Sequence, residues 1–321
     1  MRYLPFGSSL YDVRRTSEEP GSERQGLAAM MLRGDRREEP AMSLEVTIVQ
    51  ACLRSGRGGS RTAVIEDRDL SDAARRAVPA AVGASHAVFI SVQDPSAVRL
   101  RFFTSTGELP ACGHGTVAAL AVLAQRSGDD RYDGVLHSTA RSLPGHAIGS
   151  EGVYSAAFEP GPVDLRAATP EEADPILSAL RVSAETARCH VASVGRPRLL
   201  VELADQQTLA DLAPDMPALR AATDRLGLLG CYAYGTPSAD GHTVARMFAP
   251  SIGVPEDIAN ANSTACAAAH LSTRGHARLQ VDMGDSLGHP ATMTATVTGP
   301  PDAPIVEVGG TATISGRRRL S

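Results

Sequence analysis

From Leu44 onward, short runs of alternating apolar and polar residues punctuate the chain. Their β-branched and aromatic content predicts strands at Leu44–Ala51, Thr62–Ile65, His86–Val92, Val98–Phe103 and Val153–Phe158. Between them lies a different pattern. The Ala/Leu-rich run Thr116–Arg126 (TVAALAVLAQR), closed by Gly128, predicts a helix entered just after Gly113. The second half repeats this grammar. Strands are predicted at Arg198–Leu203, Leu228–Tyr234, Thr243–Phe248, Arg278–Met283, Thr292–Thr298 and Ile305–Val308, and a helix at Ser263–Ser272 (STACAAAHLS).

The repetition extends to detail. Arg101-Phe102-Phe103-Thr104 leads through a Gly/Pro turn into Gly113-His114-Gly115 and an Ala-rich helix. Arg246-Met247-Phe248-Ala249 leads through Pro250 and Pro255 into Asn260-Ala261-Asn262 and a second Ala-rich helix, about 145 positions later. Either two alanine-rich segments coincide, or the chain holds a duplicated pair of lobes with a site between the two helix N-termini. The duplicated reading divides the chain into a first lobe, 42–160, and a second, 161–321, with C-terminal strands crossing back. Met1–Ala41 is polar, mixed in charge and without sustained periodicity, so it is expected to be disordered. It is either an extension upstream of a true start at Met42 or a regulatory or partner-binding tail.

Composition removes several classes. A chain of 321 residues with 43% hydrophobic residues can bury a real core. Its net charge of −5 speaks against a nucleic-acid surface, which needs a cationic field. No apolar run reaches the roughly 18–20 residues that span a bilayer. All 31 basic residues are arginine. Without lysine there is no pyridoxal-phosphate or aldolase Schiff base and no Walker-A loop. The five cysteines are scattered without a CxxC pair, and no leader is recognisable, so a reducing cytoplasm is expected. His137, His146, His190, His242, His270, His276 and His289 show no HExxH-like spacing, so neither a metal nor an organic cofactor is expected.

Two segments could carry chemistry. In Glu108-Leu109-Pro110-Ala111-Cys112-Gly113-His114-Gly115-Thr116, glycines at a helix start let the backbone approach a ligand. The free N–H groups there favour a carboxylate, and His114 adds a donor. A purely structural turn is the alternative. In Glu256-Asp257-Ile258-Ala259-Asn260-Ala261-Asn262-Ser263-Thr264, the polar residues either cap the helix or present Asn262, Ser263 and Asp257 to a substrate.

Together these segments resemble the PhzF family, the phenazine-biosynthesis-like branch of the diaminopimelate epimerase fold. Glu108 to Thr116 is similar to that family's E-L-P-F-C-G-H-A-T block. The segment from Arg246-Met247-Phe248-Ala249-Pro250 through Glu256-Asp257 is similar to its R-x-F-A-P…E-D-P-A-T-G-S-A block. Gly59-Ser60-Arg61-Thr62-Ala63-Val64 resembles G-N-P-A-A-V, and Gly288-His289-Pro290-Ala291 resembles G-R-P-S. The likeness spans Leu44 to Gly310. It implies an α+β fold of two pseudo-symmetric lobes, each a mostly antiparallel sheet curled around a central helix. It also implies a homodimer and cofactor-free proton transfer on a small carboxylic acid. Two departures stand out. His86, in Gly83-Ala84-Ser85-His86-Ala87-Val88-Phe89-Ile90, falls where the family has its acid/base glutamate. The T-G-S of the second block becomes Asn260-Ala261-Asn262. The resemblance thus implies His86, His114 and Asp257 as catalytic residues. It implies Ser85, Gly113, Gly115, Gly195, Ala261, Asn262 and Ser263 as substrate contacts.

Three functions compete. The first is an isomerase in which His86 takes a proton from one carbon of a conjugated amino or imino acid and returns it to another. Its home would be bacterial secondary metabolism, such as an alkylproline antibiotic precursor, and turnover should fall at low pH as the imidazole becomes protonated. The second is a racemase or epimerase, which in this fold uses two opposed cysteines. Cys112 occupies the first position but Asn260 the second, with Cys266 further along the helix. The third is a non-catalytic protein that binds a small acid.

Overall fold

The computed structural model describes residues 43–94, 97–300 and 303–320, so Met1–Ala41 and the start at Met42 lie outside the described residues. In the first half, β1 (Leu44–Ala51) and β2 (Ser60–Glu66) are followed by α1 (Asp72–Val82). Then come β3 (His86–Asp94), β4 (Ala97–Phe103), the short β5 (Glu108–Leu109) and α2 (Gly113–Ser127), and after them β6 (Arg131–His137), β7 (Ser142–Ser150) and β8 (Val153–Phe158). The second half opens with β9 (Asp164–Ala167), α3 (Pro170–Leu180), β10 (Ala187–Val194) and β11 (Arg196–Leu203). Next are α4 (Gln206–Ala210), α5 (Met216–Leu226), β12 (Cys231–Gly235), β13 (His242–Ala249) and β14 (Val254–Asp257). The chain ends with α6 (Ala261–Ser272), β15 (Arg278–Met283), β16 (Ala291–Thr298) and β17 (Ile305–Leu320).

The ladders form two curled sheets that share a strand. Running β1–β2–β3–β4–β6–β7–β8–β17 and back to β1, the first closes on itself around α2. The second runs β9–β10–β11–β12–β13–β15–β16–β17 and curls around α6. Most neighbours are antiparallel. The parallel pairs β2/β3, β4/β6, β11/β12 and β13/β15 occur where a helix supplies the crossover. This is a mixed α+β fold of two pseudo-symmetric lobes.

A helix enclosed on all sides has no polar face to present. Val117–Ala124 of α2 and Ser263–Leu271 of α6 are accordingly buried, and their alanines let the strands approach. The largest core joins side chains from both central helices, while α3 and α5 cover a second core on the outside of the second lobe. Both central helices begin earlier than the sequence suggests, at Gly113 and Ala261, because Cys112 and Asn260 are their N-caps. The expected strand Leu228–Tyr234 starts only at Cys231, since Gly227 first terminates α5 in a left-handed cap.

Candidate active site

The two helix N-termini touch. A Cβ on Gly113 would lie 2.3 Å from the Cβ of Ala261, so only glycine permits this approach. The same device steadies the lead-in to each helix. Arg101 makes a bidentate pair with Glu108 (2.9 and 2.7 Å) and lies 5.0 Å above the Phe103 ring. Arg246 does the same with Glu256 (2.9 and 2.9 Å) and lies 5.0 Å above Phe248. The second pair fixes Glu256 and therefore its neighbour, Asp257.

The caps differ. Asn260 Oδ1 accepts from Ser263 N–H at 2.9 Å, while its Nδ2 donates to Asp257 Oδ2 at 3.0 Å. Cys112 makes no side-chain cap bond, so the first N–H groups of α2 stay available to an anion. Between these ends lies a cavity of about 340 Å³, walled in part by His86, Cys112, His114, Asp257 and Asn262.

Two imidazoles stand in tandem there. His114 Nδ1–H donates to the Ala259 carbonyl (3.3 Å), and its Nε2 lies 2.9 Å from His86 Nδ1 and 3.3 Å from Cys112 Sγ. The rings meet edge to face, with centroids 4.4 Å apart. Ser85 Oγ, 3.0 Å from His86 Nδ1 and 3.1 Å from Ser60 Oγ, helps set the first ring. With Nδ1 so engaged, Nε2 of His86 is the nitrogen left for a ligand.

The two rings have opposite appetites for a proton. Burial, and then the neighbouring His114, push His86 down to about 2. Burial also opposes charge on His114. There it is outweighed by Cys112, Asp257 and the Ala259 carbonyl, which push that ring up to about 9. Of the two rings His114 therefore has the stronger hold on a proton, and its Nε2 faces His86 Nδ1. Burial thus works against the charge that an isolated imidazole would take up as pH falls.

The donor atoms of His86, Cys112 and His114 all lie within 4.8 Å of one another, a cluster that linear spacing did not reveal. The 2.9 Å nitrogen–nitrogen contact is nevertheless hydrogen-bond spacing. Two imidazoles on one tetrahedral zinc, each about 2.0–2.1 Å from it, would stand roughly 3.3 Å apart.

Of the expected site residues, His86, Gly113, His114, Gly195, Asp257, Ala261 and Asn262 line the cavity. Three, expected as substrate contacts, do not line it. Ser85 sits behind His86. Gly115 is packed where a Cβ would press on Cys112 Sγ, Phe102 and Val88, each 3.0 Å away. The Ser263 hydroxyl turns inward to Met247 Sδ. The Gly59 and Pro290 segments join each other instead, Gly59 N–H donating to the Pro290 carbonyl at 2.8 Å. Sequence reasoning missed Arg141, Arg196 and Arg198, which also line the cavity. One signal was present: in Arg198-Leu199-Leu200-Val201-Glu202, alternation puts Arg198 on the same face as buried Leu200.

Two pseudo-symmetric lobes thus bring a tandem imidazole and a carboxylate together at their paired helix ends. Residues 49–318 match the family model for phenazine biosynthesis-like proteins (PhzC-PhzF), and the chain belongs to that family. It is 30% identical to the uncharacterized isomerase YddE of Escherichia coli K12 over 80% of this chain and 91% of that protein. It is 27% identical to trans-2,3-dihydro-3-hydroxyanthranilate isomerase of Pseudomonas aeruginosa, over 78% and 90%. The PhzF-family protein of Bacillus anthracis superposes with a TM-score of 0.73 at 16% identity, over 87% of this chain and 99% of that one.

Proposed function

We propose that the protein shifts a proton, and with it a double bond, on a small conjugated amino or imino carboxylic acid, without a cofactor. The observation that carries this reading is the 2.9 Å contact between two imidazoles of opposite proton affinity at the cavity wall. The open N-terminus of α2 holds the substrate carboxylate. His86 Nε2–H donates its proton to an enamine carbon, and His86 Nδ1 takes the proton of His114 Nε2 in exchange. The substrate is then a cation and the pair is neutral. A proton leaving a second carbon returns to His86 Nε2, and the Nδ1 proton passes back to His114, where Asp257 favours the charge. The double bond has moved and both rings are restored. The same reading makes the substrate an unsaturated acid of bacterial secondary metabolism, such as an antibiotic precursor, and the enzyme a homodimer.

An epimerase would need an acid and a base on opposite faces of one carbon. The residue matching Cys112 is Asn260, and the Cys266 thiol is buried against Arg198. To test the proposal, trans-2,3-dihydro-3-hydroxyanthranilate and other conjugated amino acids are offered in heavy water, followed by ultraviolet absorbance and proton NMR. A migrating double bond is expected. Deuterium at the α-carbon alone, with the double bonds unmoved, would overturn the reading in favour of an epimerase.

A further inference from the structure

Among the described residues Arg198 makes no ion pair. It is only 1% exposed, yet its Nε has no hydrogen-bond partner. Nη2 donates to the Arg196 carbonyl (2.7 Å), and Nη1 meets only the Cys266 thiol at 3.5 Å. The other arginines drawn into the protein's interior are treated differently. Arg75 is paired with Asp67 (2.9 Å) and Arg246 with Glu256 (2.9 Å). Removing a guanidinium from water without an anion is costly, and a protein keeps such a group where a ligand brings the missing charge.

A second guanidinium compounds the imbalance. Arg141, from the turn before β7, lines the same cavity; burial and the charge of Arg198 both lower its hold on its proton. Its side chain passes over Gly195, where a Cβ would lie 2.5 Å from Nη2, and one Nη1–H donates to the Pro160 carbonyl. Gly195, expected to touch substrate, thus makes room for Arg141, and its φ of +86° suits the turn to glycine. Among the described residues neither Arg141 nor Arg198 makes an ion pair, and Asp257 is the one acidic residue in the cavity lining.

We propose that Arg198 and Arg141 form an anion subsite in the cavity, and that the natural substrate is a dicarboxylic acid whose second carboxylate they receive. The inference rests on the proposed proton shift, in which the first carboxylate sits at the start of α2, and it names the class of acid. Planar guanidinium groups offer forked donors suited to a carboxylate.

The test is calorimetric binding to the full chain of length-matched pairs: butyrate and succinate, valerate and glutarate, hexanoate and adipate. At least one diacid should bind about tenfold or more tightly than its partner. Arg198→Gln should abolish that preference, Arg198→Lys should restore part of it, and half-buried Arg141→Gln should reduce it. Thermal melting of each variant verifies folding, and Arg141→Gln carries the test if Arg198→Gln does not fold. Equal binding within every pair, no diacid binding at millimolar concentration, or an undiminished preference in the folded variants would overturn the subsite. A phosphate-specific site would show as inorganic phosphate binding tightly, weakened by Arg198→Gln and not displaced by any diacid, and would overturn the dicarboxylic assignment. Because the readout is binding, its failure is distinct from failure of the proton shift, which is read in turnover.

Discussion

The lead-ins to α2 and α6 are built alike and end differently. In both, an arginine grips a glutamate with two hydrogen bonds and lies 5.0 Å above the phenylalanine two residues on. At the helix start the likeness stops. Cys112-Gly113-His114 leaves backbone donors open and places an imidazole beside His86. Asn260-Ala261-Asn262 closes its cap on Ser263 and tethers Asp257. The scaffold is common to both lobes, whereas the paired imidazoles stand in one and the tethered carboxylate in the other.

The largest effect should fall on the scaffold. The Arg246–Glu256 pair is well buried, at 13% and 9% side-chain exposure, so Arg246→Ala should lose about 3–5 kcal/mol of stability in chemical denaturation. Arg101–Glu108 is more exposed, at 24% and 28%, and Arg101→Ala should cost about 1 kcal/mol. Equal losses would show that the two staples are energetically the same. Next comes the chemistry: His86→Ala should fold, still bind acid, and lose a factor of about 10² or more in turnover. Near-parent activity would move the proton transfer to the other lobe.

The pH profile should sharpen the contrast between the paired rings. A group whose folded pKa is raised keeps its proton until pH passes that value. Turnover should therefore hold through neutrality and fall about tenfold per unit above the shifted value near 9. A fall through about pH 6.5 on acidification would mean that His86 titrates as an isolated imidazole. The smallest effect is expected from Cys112→Ser. A hydroxyl can replace the thiol 3.3 Å from His114 Nε2, so activity should stay within a few-fold in a steady-state assay. Complete loss of turnover with folding preserved would revive a two-thiol epimerase.

Much of this scaffold was legible because its elements are locally coded. β1 and β15 occupy the predicted spans, and both Ala-rich helices lie where periodicity put them. What failed depends on distant partners. β17 was expected to stop at Val308 but runs to Leu320, because Gly309-Gly310 and Arg317-Arg318-Arg319 look like strand breakers and a polar tail until β1 pairs with them. β7 carries Pro144 and two glycines and is a strand only between β6 and β8. At the site, His86, His114 and Asp257 were identified by motif likeness. The opposite proton affinities of the two rings were not legible, because they depend on burial and on a contact across 28 positions. Arg198 was passed over as one residue of a strand, since its missing partner is a property of three dimensions.

The shared strand bears on how the molecule assembles in time. β17 joins β16 and β8 along its first part and then lies beside β1, matching Leu320 with Leu44. The barrel around α2 therefore cannot close until Ile305–Leu320 has left the ribosome, although its other seven strands were made long before. Such long-range pairing slows folding and prolongs exposure of unpaired strand edges. The earlier lobe should wait on the later one, and a pulse-labelled nascent chain halted before Ile305 should remain protease-sensitive throughout.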